Sequence, residues 1–298
     1  DAKKHVLYRL ARVCDESIGD RDRAIGGYEQ ILDLGLDSPA IEALERLYAA
    51  GGRWNDLVAL HERELSADTT PDARRATINH GLGHLFREQL SETDRAFDAY
   101  AEALRIDAQH PATIGSLEKI VEAKGGGDLV QAARAAALLE PVYLARLDWR
   151  KVIGAVEARL AGSQDPSEKR DLLRRLAKLH EEQEESYLVA LDIMALLLAE
   201  DPSDETTWAE LERLARVANA EDRLAQIYAG ELAKIADLDS SSARIAFRTG
   251  ELFEAAGDID RALNFYRRAY DYSRADEQRS FVAIDRLLLA GERAADRI

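Results

Sequence analysis

LERLYAAGGRW, residues 44–54, is the stretch that decides the fold, because the chain repeats it. Related segments begin at Leu117, Leu139, Leu211 and Ile284, after steps of 73, 22, 72 and 73 residues. A second set of segments lies between these copies and keeps nearly the same rhythm. Self-similarity at a fixed period indicates a repeat architecture, in which each unit packs mainly on its neighbours. The sequence therefore predicts repeating units rather than ordinary globular domains.

The composition favours helices throughout the chain. Of the 298 residues, 46% are apolar, 32% are charged and only 6 are proline. Ala, Leu, Glu and Arg are abundant, and all four are good helix formers. The first segment carries its apolar residues at helical spacing, as Val6, Leu7, Leu10, Val13 and Cys14. An all-α fold follows from both observations.

The charge and the single cysteine exclude several classes of protein. A net charge of -16 argues against a nucleic-acid binder, which needs a basic surface to neutralise phosphates. It also disfavours docking on anionic membranes. Cys14 is the single cysteine, so the chain forms no intramolecular disulfide, and we expect a reducing, cytoplasmic location. No apolar run is long enough for a membrane helix, and no secretory signal is visible at the start.

Four helices form each super-repeat. We expect super-repeats at 2–70, 71–162, 166–238 and 240–298, the last of them truncated, within a single solenoid over 1–298 of about sixteen helices. The chain begins at Asp1 without Met and stops at Ile298 within a helical pattern. It is therefore expected to be a fragment of a longer protein.

An insertion near 125–146 breaks the rhythm, since the motif returns after only 22 residues at Leu139. Gly125, Gly126 and Gly127 mark a stop and restart of the chain. The segment that follows is either one long helix bent at Pro141 or two short helices. A single bent helix is favoured, because a proline inside a helix removes a hydrogen bond and kinks the axis without always ending it.

Small and large residues alternate between paired helices in a regular way. The first helices align at a small residue, and the second helices align at an alanine and, one turn later, at a large residue. The aligned positions are Ala11, Gly83, Ala177 and Gly250; then Ala24, Ala96, Ala190 and Ala262; then Tyr28, Tyr100, Met194 and Tyr266. A small residue on the first helix lets the partner helix approach closely, and the residue three positions later on the same helix fills the gap between helices; these later residues are Cys14, Phe86, His180 and Phe253.

This arrangement resembles the tetratricopeptide repeat, whose first helix carries a Leu-Gly pair and an aromatic and whose second helix carries Ala, an aromatic and Ala. Gly250, Phe253, Ala262, Tyr266 and Ala269 form the clearest unit. The helix pairs that contain the opening motif depart further, with an acid such as Glu45 where the family has its glycine. The resemblance implies a right-handed α-α superhelix of antiparallel helix pairs with a concave surface that binds a protein or peptide partner.

Basic residues and histidines recur along the first helices, which line the concave surface in tetratricopeptide arrays. These candidate partner-binding residues are Arg9, Arg12, His80, His84, Arg87, Arg174, Arg175, Lys178 and Arg248. Such a column can receive an acidic peptide or a carboxylate terminus, because Arg donates to both oxygens of a carboxylate. The competing interpretation is ordinary pairing along a helix, as between Arg12 and Glu16 or between Lys178 and Glu182.

Two further sets of side chains have structural and functional interpretations. His80, His84 and Glu88 share one helix face and resemble metal ligands, but they lack the HExxH spacing of a zinc hydrolase, so no metal site is predicted. An acid follows the first apolar residue of each motif copy, and the base next to most of these acids suggests pairing between helices. These acids are Glu45, Glu118, Glu140, Glu212 and Asp285.

Catalytic motifs are missing from the sequence. The glycine cluster at 125–127 lacks the Lys-Ser/Thr of a phosphate-binding loop, and no nucleophile elbow is present. We therefore expect no catalytic residues and no cofactor. The predicted function is a non-catalytic scaffold or adaptor that binds a partner segment on its concave surface. The alternatives are a regulatory repeat domain that senses a peptide or other ligand and, with less support, a metalloenzyme built on a helical array, which metal analysis of the purified protein would separate from the other two.

Overall fold

The computed structural model describes residues 2–123, 128–201, 204–234, 240–272 and 277–290, and every regular element in these ranges is a helix. Two compact units divide the chain between Ala145 and Arg146. The helices of the first unit are α1 Ala2–Arg12, α2 Arg21–Leu32, α3 Ser38–Gly51, α4 Trp54–Leu65, α5 Asp72–Glu88, α6 Thr93–Ile106, α7 Pro111–Glu122 and α8 Leu129–Ala145. A π-helical segment, Val13–Ile18, extends α1.

The described residues of the second unit form eight more helices. They are α9 Trp149–Gly162, α10 Pro166–Glu184, α11 Tyr187–Glu200, α12 Glu205–Ala218, α13 Glu221–Lys234, α14 Ser240–Ala255, α15 Ile259–Tyr272 and α16 Glu277–Ala290. Within each unit, helices contact mainly their neighbours in the chain, most extensively in the α5–α6 and α14–α15 pairs. This nearest-neighbour packing is that of an α-solenoid, so the fold class predicted from the sequence is confirmed.

Side-chain caps fix the points where many helices begin. Asp37 accepts a hydrogen bond from the Ala40 amide (3.2 Å) and so satisfies one of the free N–H groups at the start of α3. Ser38 and Pro39 follow this cap as the first residues of the helix. The helix ends where Gly52 adopts a left-handed conformation, as the Gly-Gly pair predicts.

Close approach within the helix pairs depends on the small residues that align in the sequence. A Cβ atom on Gly83 would lie 2.5 Å from Cε1 of Tyr100, and one on Gly250 would lie 2.7 Å from Cδ1 of Tyr266. Both tyrosines are buried, with 1% of their surface exposed. The prediction that a small residue on the first helix lets the second helix approach closely is confirmed for these two pairs, and the structure adds that the tyrosine ring of the second helix fills the space beside it.

The segment after the glycine cluster forms one helix, α8, with Pro141 inside it. The single-helix alternative is therefore correct, and the Gly125 to Gly127 break itself lies outside the described residues. None of the described helices is both long enough and apolar enough to cross a membrane.

Candidate protein-binding groove

The first and third helices of a repeat meet through two contacts at a fixed register. The first contact joins a residue three positions before the aligned small residue to the N-cap of the third helix. Three repeats show it: the hydroxyl of Tyr8 donates to Asp37, the ring of His80 lies 5.7 Å from that of His110, and Arg174 donates to Asp204 Oδ2 (3.3 Å). The N-caps of the third helices are therefore held by the first helices.

The second contact is an ion pair that we call a rung. Its acid lies four residues after the aligned small residue of the first helix, and its base lies two residues after the first apolar residue of the motif. The rungs are Asp15 with Arg46, Glu181 with Arg213 (2.6 Å) and Glu254 with Arg286 (2.7 Å). In the two repeats where both contacts are described, the rung lies seven residues beyond the first contact on the first helix and nine residues beyond it on the third. The two helices therefore run in the same direction at one shared register.

Open grooves lie between these helices in the second unit. The α10–α12 groove has a volume of about 590 Å³ and the α14–α16 groove a volume of about 770 Å³. Met194 and Tyr266, at equivalent positions of the second helices, contribute to the two linings, and each groove contains its rung. The α14–α16 groove is lined by Phe247, Arg248, Glu251, Glu254, Ala255, Tyr266, Gln278, Arg279, Val282, Ala283 and Arg286.

The α14–α16 groove has an apolar wall beside its charged residues. Val282 exposes 58% of its surface, and the half-buried ring of Phe247 lies 5.3 Å from that of Tyr266. Burial and the hydrogen bond that Tyr266 donates to Glu254 (2.8 Å) raise the pKa of Tyr266, so its hydroxyl remains a proton donor at neutral pH. Apolar side chains and charges of both signs therefore line one opening, which suits a polypeptide segment.

The basic candidates predicted from the sequence lie on the first helices, but most carry a carboxylate partner. Arg12 pairs with Glu16 (2.9 Å) and Lys178 with Glu182 (3.6 Å), so these two pairings of the competing interpretation are confirmed. Arg87 contacts the neighbouring Glu88 (2.7 Å).

Three more candidates serve contacts between helices. Arg174 pairs with Asp171 (3.6 Å) as well as Asp204, Arg248 spans from Glu212 (2.9 Å) to Glu251 (2.8 Å), and His80 shares a hydrogen bond with Ser116 (3.0 Å). Arg9, His84 and Arg175 are exposed on the same helices. The column is therefore a compensated mixture of charges rather than a continuous basic surface.

Asp204 shows how firmly these charges are held. The hydroxyls of Thr206 and Thr207 donate to its carboxylate at 2.6 and 2.7 Å. These hydrogen bonds hold the pKa of Asp204 well below its usual range, so it remains ionised beside Arg174.

The acids beside the motif leucines hold helices together, as the sequence suggested. Glu45 contacts Arg74 (2.7 Å), Glu212 contacts Arg248, and Glu118 accepts a hydrogen bond from Tyr143 (2.9 Å). Each contact joins a third helix to a later element. In the motif, the acid therefore contacts an element later in the chain, while the base next to it pairs with the first helix of its own repeat.

Sequence reasoning missed the residues of the third helices that complete the grooves. Thr206 and Thr207 line the first groove, and Arg279 and Val282 line the second. The sequence carries a weak signal for two of them, because Thr206 and Arg279 each lie five residues before the first apolar residue of a motif copy, Leu211 or Ile284. Only the observed register of the two helices shows that these positions face a groove.

A cluster in the first unit has the composition of a metal site. Among the described residues, Glu45, His61 and Glu64 form the one group whose candidate ligand atoms lie within 4.8 Å of one another. Arg74 already binds both carboxylates, at 2.7 Å from Glu45 and 2.8 Å from Glu64, so a guanidinium stands where a metal would be. The sequence candidates His80, His84 and Glu88 do not assemble into such a group, since His80 contacts Ser116 instead.

His61 is expected to make stability depend on pH. Burial lowers its pKa, Glu45 opposes that effect, and Arg74 adds to it. Between its unfolded pKa of about 6.5 and its lower folded value, the unfolded chain binds more protons, so the free energy of unfolding falls as pH falls, by at most about 1.4 kcal/mol per pH unit for one proton. His61→Gln should reduce the loss of stability between pH 7 and pH 5.

Urea unfolding across this pH range measures the effect. His5→Gln, at an exposed position of α1, is the matched control for removal of a histidine and should follow the wild type. Equal slopes for His61→Gln and the wild type would contradict the assigned role of His61.

Comparison with known proteins places these observations in context. Residues 40–75 match the family model described as Tetratricopeptide repeat. No curated protein sequence matches the chain. The matched stretch begins within α3 and ends within α5. It therefore includes the α3–α4 pair, which departs from the family's pattern by carrying Glu45 where the family has its glycine.

Among solved structures, the chain is similar to a tetratricopeptide repeat protein from Parabacteroides merdae ATCC 43184, with 14% identity, a TM-score of 0.31, and coverage of 97% of this chain and 100% of that one. It is also similar to the TPR2AB-domain:pHSP90 complex of yeast Sti1, with 15% identity, a TM-score of 0.28, and coverage of 90% and 96%.

The matched segment and the packing of the repeats agree in their resemblance to the tetratricopeptide repeat. Residues 40–75 carry the match, and the fit of Gly83 against Tyr100 and of Gly250 against Tyr266 repeats the small-to-large contact of the family outside that segment. Residues 40–75 therefore match the tetratricopeptide repeat family, and the described helix pairs outside that segment pack as tetratricopeptide-like helical repeats.

Proposed function

We propose that the chain is a non-catalytic protein-interaction scaffold that binds a segment of a partner protein in the grooves between its first and third helices. The observation that carries the proposal is the recurrence of the groove. The α10–α12 and α14–α16 grooves share their rung, their register and a large residue of the second helix. A repeated groove suits a polypeptide, because successive parts of one segment can enter successive grooves.

The α14–α16 groove is the better candidate for the anchoring contact. Exposed Val282 and half-buried Phe247 offer apolar area to one side chain of the partner, and the volume of about 770 Å³ lies within the range of ordinary binding pockets. Arg279 and Glu251 at the same opening can bind flanking charges of either sign. A few buried apolar anchors surrounded by polar contacts carry most of the affinity in protein interfaces.

A protein partner fits the charge better than a nucleic acid does. The chain carries a net charge of -16, and the cations of the grooves are balanced by carboxylates. A phosphate backbone would meet repulsion over most of such a surface. The segment expected in the groove is therefore a peptide with an apolar side chain and mixed flanking charges.

A display experiment with matched variants tests this proposal. Peptides selected from a random library on the wild-type chain should bind Val282→Asp about tenfold more weakly or worse, because the charge would be desolvated against the apolar anchor. Val189→Asp is the control, since Val189 is an exposed valine of α11 (43% exposed) outside the grooves. Fluorescence anisotropy with the selected peptides measures both affinities.

Two results would contradict the proposal. One is that the selection yields no peptide that binds the wild-type chain saturably. The other is a set of peptides whose affinity falls equally for Val282→Asp and Val189→Asp, which would place binding outside the groove.

A further inference from the structure

One repeat breaks the pattern of rungs. In the first, third and fourth repeats the rung pairs an acid on the first helix with a base on the third. In the second repeat the equivalent positions are Arg87, four residues after Gly83, and Lys119, two residues after Leu117. Two cations therefore occupy a rung that elsewhere holds one charge of each sign.

Contacts of His80 give the register of α5 against α7 near these two positions. His80 contacts His110 and Ser116 across the two helices, as Tyr8 contacts Asp37 across α1 and α3. Arg87 lies seven residues beyond His80, and Lys119 lies nine residues beyond His110, which are the spacings that join Glu181 to Arg213. At the spacing that makes an ion pair in the other repeats, the second repeat therefore carries two cations.

Neighbouring acids only partly compensate these cations. Glu88 contacts Arg87 at 2.7 Å from its own helix. Glu118, beside Lys119, accepts a hydrogen bond from Tyr143 on α8 (2.9 Å). Lys119 is exposed, and about a third of the Arg87 side chain is exposed as well. The rung therefore offers a local positive charge to a ligand on a chain whose net charge is strongly negative.

We propose that Arg87 and Lys119 bind an acidic side chain of a partner segment, which supplies the acid that this rung lacks. The proposal rests on the proposed scaffold function and adds the chemical class of one partner residue. A carboxylate fits because Arg can donate two parallel hydrogen bonds to its oxygens while Lys contributes a compact charge. The site is too small and too isolated in an acidic surface to follow a nucleic-acid backbone.

The facing geometry can be tested without a ligand. R87E and K119E should each place opposite charges on the rung, and because R87E also removes the Arg87–Glu88 contact, the interaction is measured from the Tm of both single variants and the double variant together. The double variant R87E/K119E again has like charges on the rung, so its Tm should lie about 1 °C below the value expected from adding the two single effects, because exposed pairs contribute only tenths of a kcal/mol. Additive effects in this cycle would show that the two positions do not interact and would overturn the proposal.

Binding can be tested with fluorescein-labelled hexaglutamate whose two ends are blocked, titrated at low ionic strength by fluorescence anisotropy. The wild type should bind it saturably, R87E and K119E should each weaken binding about tenfold, and hexaglutamine should not bind. R105E is the control, since Arg105 pairs with Glu102 on α6 and its reversal changes the net charge equally. No saturable binding, or an equal loss in R105E, would overturn the proposal.

The results also separate this site from the scaffold function as a whole. If Val282→Asp weakened the binding of the library peptides while R87E and K119E left the binding of hexaglutamate unchanged, the acidic-residue site alone would be refuted. If the library peptides bound saturably to neither the wild type nor any variant, the scaffold function would be refuted instead.

Discussion

Leu198→Ala is expected to lower the free energy of unfolding by about 2–5 kcal/mol, whereas Leu196→Ala, two residues earlier in α11, should change it by less than about 0.5 kcal/mol. Leu198 is fully buried and Leu196 is 54% exposed. Truncation at the buried position removes apolar contacts and leaves a cavity, while truncation at the exposed position mainly exchanges one good helix former for another.

Urea unfolding followed by circular dichroism measures both variants. The comparison is well controlled because residue type, helix and substitution are the same, and only burial differs. The assigned packing of α11 would be wrong if the two variants lost similar stability.

Gly83→Ala is expected to destabilise the protein by about 1–3 kcal/mol, although alanine is the better helix former. The new Cβ would lie 2.5 to 2.9 Å from three ring atoms of Tyr100, which cannot move away because the ring is buried and packs edge-on to Phe97 (6.4 Å). Gly81→Ala, on the same helix, meets no atom within 4 Å and should stabilise the protein by about 0.5–1 kcal/mol.

Opposite signs for two Gly→Ala substitutions on one helix would be hard to obtain from helix propensity alone. Thermal and urea unfolding give both values. A double-mutant cycle with Tyr100→Leu provides the check: the cost of Gly83→Ala should shrink in that background, because the smaller side chain leaves room for the Cβ. A cost that is unchanged by Tyr100→Leu would contradict the assigned contact.

Much of the fold could be predicted because each packing position recurs at equivalent places in several repeats of the sequence. A single alanine at residue 24 has little meaning, but alanines at 24, 96, 190 and 262 identify one buried position, and all four are fully buried in the structure. Around Pro141 the sequence pattern favours a single helix but does not by itself exclude two short ones, because a proline is compatible with a kink and with a helix end.

The candidate site could be predicted only in part. The first-helix column containing Arg174 and Arg248 was correctly placed on the first helices, yet its partners were not visible. Asp204 and Glu212 lie some thirty to forty residues away in the chain, and only the docking of successive helices brings them within ion-pair distance. Val282 and Arg279, which shape the α14–α16 groove, were missed for the same reason.

The sequence by itself determined the helices, their period and the small-to-large pairing within each pair, because these depend on spacing along one or two adjacent helices. Only the tertiary structure decided which of three consecutive leucines in α11 is exposed, since almost every residue of that helix is apolar and its pattern favours no single face. It also decided which charges face each other between first and third helices. That register depends on how whole helices dock. It places Arg87 and Lys119 at the two positions of a rung, which in this repeat lacks an acid.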